Sequence, residues 1–78
     1  MPKLVPISAS AMMKILKRLG FEEVRIKGSH HFFVHPVSKK STTVAFHSSE
    51  VLGVGMLKMI LRDIDLSVRE YEKLRLNI

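Results

Sequence analysis

The sequence predicts an α+β domain in which a small antiparallel sheet is packed on helices. Three observations lead there: apolar residues at helical spacing before Gly20 and again after Gly55, period-two alternation between Glu22 and Phe46, and short connections marked by turn residues between the alternating runs. Strands joined so closely pair with their chain neighbours, so the expected order is helix, a three-stranded meander, helix and a short extra C-terminal helix. At 78 residues the chain is read as a single domain over 1–78. A domain of this size buries only about 60% of the surface its unfolded chain exposes, so both helical stripes are needed for its core.

The first helix starts at Ser8, whose hydroxyl suits the N-cap because it accepts from an otherwise unpaired backbone N–H of the first turn. Met12, Ile15, Leu16 and Leu19 then form one apolar stripe, with Lys14, Lys17 and Arg18 off it. Gly20 ends the helix in the left-handed position, and Phe21 is expected to fold back on Leu16. From Glu22 to Lys27, Val24 and Ile26 alternate with Glu23, Arg25 and Lys27, which predicts a half-exposed strand. Gly28-Ser29 has the composition of a two-residue hairpin loop. The second strand places His30, Phe32 and Val34 on one face and His31, Phe33 and His35 on the other, and Pro36 stops it. Phe32 is read as core; Phe33, on the alternate face, is read as a packing residue in preference to one that stacks on an unpaired base, the alternative it also offers. A polar turn with Lys39 and Lys40 leads to a third strand from Thr42 to Phe46, ending at His47. Ser48-Ser49-Glu50 is a polar break, after which Leu57, Ile60, Leu61 and Ile64 mark a helix beginning near Met56. Ser67-Val68-Arg69-Glu70 has the form of a capping box, opening a last helix to about Leu76 with Tyr71 and Leu74 inward.

Composition narrows the function. Thirteen Lys and Arg against seven Asp and Glu give a formal charge of +6 and a pI near 10.1. A small domain so basic is suited to nucleic acid or to an acidic protein partner. No strongly basic helix with an aromatic apolar face appears, which speaks against a membrane surface. There is no cysteine, hence no disulfide framework and no thiolate metal site. The N-terminus, with Pro2 and Pro6, lacks the apolar run of a signal peptide, and a soluble cytoplasmic protein is expected.

Three of the four histidines and two of the four phenylalanines lie between Lys27 and Pro36. A metal site is disfavoured because His30 and His31 point to opposite faces and no carboxylate lies within the cluster. Proton transfer suits the arrangement better. Histidine titrates near pH 6.5 and serves as acid or base at neutrality, and His30 stands at a strand end beside the turn, next to the basic Lys27.

The helix ending in Leu19-Gly20-Phe21, Gly28-Ser29-His30, a third strand ending in His47, and Gly55-Met56-Leu57 opening an amphipathic helix together resemble the HicA (YcfA-like) toxin family over nearly the whole chain. The resemblance implies a double-stranded-RNA-binding-domain-like fold of order α-β-β-β-α. It also implies an mRNA endoribonuclease of a type II toxin-antitoxin system, held inactive by a HicB-like acidic antitoxin. The catalytic histidine of that family falls on His30. The chain departs from the family pattern at Ala45, where proline is usual, at Met56, where threonine is usual, and at Ile64-Asp65, where Ala-Gly is usual.

RNA supplies its own nucleophile, the 2′-hydroxyl, so cleavage requires proton transfer and charge stabilisation and no cofactor or metal. His30 is the expected catalytic residue, with Lys27, Gly28 and Ser29 supporting it against the developing phosphorane charge. Candidates for further RNA contact are His31, Phe33, His35, Lys39, Lys40 and His47. The expected partners are mRNA and the antitoxin, with no membrane and no direct DNA contact. The alternative is a non-catalytic module of the same fold that binds RNA or a partner protein.

Overall fold

A computed structural model describes residues 4–47 and 51–78. Met1 to Lys3 and the polar break at Ser48-Ser49-Glu50 lie outside the described residues. Helix α1 spans Ala9–Arg18, and Ser8 caps it as predicted, its Oγ accepting from the Ala11 N–H at 3.1 Å. Met12, Ile15 and Leu16 are completely buried. The helix closes in two reverse hydrogen bonds, Phe21 N–H to the Leu16 carbonyl at 2.9 Å and Gly20 N–H to the Lys17 carbonyl at 3.1 Å. This geometry needs a left-handed residue at the bend, and Gly20 supplies it with φ +96°. Phe21 then turns into the same core as Leu16.

Strands β1 (Glu22–Lys27), β2 (His30–Val34) and β3 (Ser41–Ala45) form an antiparallel sheet in the order β1-β2-β3. Two residues, Gly28 and Ser29, join β1 to β2. Of these only Gly28 has positive φ, +59°, the signature of the II′ turn that matches strand twist. Phe33 and Val44 are fully buried and Thr42 nearly so, and they face a core made with Met12, Ile15, Leu16, Leu57, Ile60 and Tyr71. At about 1.5–3 kcal/mol for each such apolar side chain taken from water, this one-sided core is the main term holding helices to sheet.

Helix α2 spans Val54–Asp63, opening two residues before the predicted start, so that Gly55 sits in its first turn. Burial of Leu57, Ile60 and Leu61 outweighs the roughly 1 kcal/mol that a glycine costs a helix. The Thr42 hydroxyl donates to Asp63 Oδ2 at 3.0 Å, tying β3 to the end of this helix. Helix α3 spans Val68–Leu76. The Ser67 Oγ accepts from the Glu70 N–H and donates to the Glu70 carboxylate, both at 3.1 Å. Tyr71, fully buried, donates its hydroxyl to the Val5 carbonyl at 2.5 Å and so fastens the last helix to the segment before the first. The order α-β-β-β-α-α, with helices against one face of a three-stranded antiparallel sheet, is an α+β fold of the double-stranded-RNA-binding-domain type.

Strand β1 departs from the half-exposed strand expected. All six of its residues are exposed, Val24 and Ile26 at 59% and 58%. It is an edge strand, and α1 and α2 pack over β3 at the other side of the sheet. A bulge between Glu23 and Arg25 removes Val24 from the ladder and breaks the alternation.

Candidate functional site

The β1–β2 hairpin places His30 opposite Lys27 on one side and Ala45 on the other. Directly opposed residues of paired strands project to the same face, so Lys27, His30 and Ala45 form one row across the sheet. The next row on that face is Arg25, Phe32 and Thr43. This face is the one turned away from the core. Lys27, Arg25 and His30 are exposed, Phe32 and Thr43 are half-buried, and Ala45, at the β3 end of the first row, is buried. The Ser29 carbonyl accepts from the Phe46 N–H at 2.7 Å, so the end of β3 is held against the hairpin turn.

Phe32 does not take the core role expected of it, while Phe33 takes the packing role and not the base-stacking one. Phe33 is completely buried and belongs to the core, whereas Phe32 lies on the open face with the Arg25 guanidinium carbon 5.7 Å from its ring centroid. Alternation defines two faces without saying which one the helices cover, and with a phenylalanine on each the sequence does not break the tie.

His31 shares the inner face with Phe33. Its Nδ1 meets Glu23 Oε1 at 2.5 Å, and its ring packs edge-on against Phe46 with centroids 5.8 Å apart. His35 is held by the turn that follows it. Its Nδ1 accepts from the Val37 and Ser38 N–H groups at 3.1 and 3.2 Å, which puts the ring proton on Nε2, and its ring stands edge-on to Phe21 at 5.2 Å. Lys39 and Lys40 belong to that same turn, and Lys40 Nζ pairs with Asp65 Oδ2 at 3.3 Å. The turn is at the opposite end of β2 from His30, about 14 Å away at the usual strand rise. The structure therefore gathers Lys27, Gly28, Ser29 and His30 at the hairpin and leaves His35, Lys39 and Lys40 at the far edge.

His47 is exposed and lines a shallow cavity of about 150 Å³ with Ala45, Val51, Leu52, Gly53 and Met56. Since Ala45 is also the cross-strand partner of His30, this cavity adjoins the His30 row. Two of the positions that depart from the family pattern, Ala45 and Met56, are in its wall. Sequence reasoning missed the Arg25–Phe32 and Glu23–His31 contacts. The bulge at Val24 turns Glu23 to the face of His31, and nothing in the alternation announces it, whereas Arg25 meets Phe32 in the register that the two-residue turn sets.

A basic α+β domain of the double-stranded-RNA-binding-domain type, presenting a histidine and a lysine side by side on the sheet face opposite the core, is the class defined here. Residues 9–66 match the family described as HicA toxin of bacterial toxin-antitoxin. The chain belongs to that family and is a toxin of a toxin-antitoxin system. No curated protein matches the chain. Helix α3 lies beyond the matched segment. Among the described residues no helix is long and apolar enough to cross a membrane.

Proposed function

We propose that the protein is a metal-independent mRNA endoribonuclease that cuts through His30. The observation that carries this reading is the pairing of exposed His30 with exposed Lys27 at the hairpin end, on the face opposite Phe33 and the core. In the reaction, the 2′-oxygen of the RNA attacks the adjacent phosphorus, the P–O5′ bond breaks, and a 2′,3′-cyclic phosphate and a free 5′-hydroxyl remain. One proton leaves the 2′-hydroxyl and one reaches the departing O5′. His30 carries one of these transfers, a contribution of about 10²–10⁴-fold for a positioned acid or base. Lys27 faces the charge that builds on the non-bridging oxygens, and the Gly28-Ser29 backbone N–H groups supplement it. His47, at the cavity beside Ala45, is the remaining candidate for RNA contact.

The net charge of +6 supports a basic footprint on RNA and quick encounter with an acidic antitoxin, which in this reading is HicB-like and covers the hairpin and His30 in the cytoplasm. The test is purified wild type and His30→Ala on a defined single-stranded RNA, with and without chelator. The expected result is cleavage to 2′,3′-cyclic ends by the wild type in both conditions, and loss of at least a hundredfold in the variant with RNA affinity nearly retained. Equal cleavage by both proteins refutes the role of His30. RNA binding without cleavage by folded wild type favours the non-catalytic module.

A further inference from the structure

We infer that Phe32, overlaid by Arg25, is a stacking platform for an unpaired RNA base next to the phosphate held at His30. The inference rests on the ribonuclease reading and names a subsite which that reading lacks. Phe32 follows His30 by two residues on the same strand and the same face, so the two side chains stand about 7 Å apart, within reach of a single nucleotide. On this face only Ala45, at its β3 end, is buried, and the core draws on Phe33, Thr42 and Val44 from the opposite side. An aromatic ring left half-buried on an open sheet face, in a domain with so small a core, forgoes burial that its neighbour Phe33 obtains in full.

The surroundings suit a base and its phosphates. Arg25 and Lys27 flank the ring and the histidine from β1, both exposed, and no carboxylate shares the Arg25·Phe32·Thr43 and Lys27·His30·Ala45 rows. The Arg25 guanidinium carbon stands 5.7 Å from the ring centroid, and the exposed Arg25 side chain moves aside to admit a base. The same guanidinium supplies a cation–π contact on the outer side of the base. Stacking on an aromatic face tolerates any base, so the platform grips unpaired RNA and leaves sequence preference to other contacts.

The test separates this platform from catalysis by measuring affinity in the His30→Ala background. His30→Ala and His30→Ala/Phe32→Leu are titrated with a labelled single-stranded RNA and with a strand of the same length made entirely of abasic ribose phosphates. Leucine keeps the site apolar, and equal melting temperatures verify that the fold is kept. The expected result is affinity for the base-bearing RNA lower by about tenfold, within the range for loss of one base–aromatic stack, and no difference for the abasic strand. In the His30 protein the same Phe32→Leu change is expected to raise KM by a similar factor with kcat nearly constant. Equal affinity of both variants for RNA, or equal losses for both strands, overturns the platform. Failure of the wild type to cleave overturns the ribonuclease reading and leaves the binding comparison to decide the platform by itself.

Discussion

Replacing Gly20 by alanine is expected to destabilise the protein through two separable terms. Gly20 has φ +96°, a conformation that costs an L-residue about 1–2 kcal/mol. A Cβ built there also meets His35 Nε2 at 2.9 Å, closer than a carbon and a ring nitrogen can rest. The imidazole does not swing away freely, because its Nδ1 accepts from the Val37 and Ser38 N–H groups and its ring abuts Phe21. Weakening such bonds costs about 0.5–1.5 kcal/mol each. The sum is about 2–3 kcal/mol, which in a domain of this size lowers Tm by roughly 10–20 °C. Thermal unfolding followed by circular dichroism measures it, and a double-mutant cycle resolves the terms. In a His35→Ala background the Gly20→Ala change is expected to cost only the backbone share, so the two substitutions couple by about 1 kcal/mol. A cost under about 0.5 kcal/mol for Gly20→Ala, or strict additivity with His35→Ala, refutes the proposed close approach of helix end and ring.

Other expectations concern the last helix and its caps. Burial is the main cause that raises the ionisation of Tyr71, the only tyrosine of the chain, above the ordinary value of 10.0. The neutral phenol is the form the fold holds, so its contribution is complete below pH 10 and is lost as pH rises through the folded-state value. Alkaline difference absorbance is expected to show phenolate appearing above pH 10 together with unfolding; a reversible titration at 10 in a folded protein contradicts this. Tyr71→Phe removes the bond to the Val5 carbonyl and is expected to cost about 1 kcal/mol in urea unfolding, whereas Tyr71→Ala costs about 3–5. Ser67→Ala, which removes both bonds to Glu70, is expected to lower stability by about 1 kcal/mol; Ser67→Gly is expected to lower it by a few tenths, and equal losses point to something other than capping.

Local chemistry was legible in the chain. Ser8, Gly20, Gly28 and Ser67 each satisfy a requirement set within four residues: a cap for free N–H groups, a left-handed bend, a hairpin turn. The helical stripes are equally local, because Met12, Ile15 and Leu16, or Leu57, Ile60 and Leu61, need only face one way for burial to reward them. The Lys27–His30 pairing follows from the length of the turn between them, so the centre of the candidate site was readable as well. What the tertiary structure decided is which face of the sheet the helices cover. Period-two alternation is symmetric under exchange of faces, and Phe32 and Phe33 make both faces equally attractive until α1 and α2 settle over β3. That choice sends Phe33 to the core and leaves Phe32 with Arg25 beside His30. The exposed edge strand, its bulge at Val24 and the packing of His35 against the Gly20 bend arise in the same way, from contacts between segments distant in sequence.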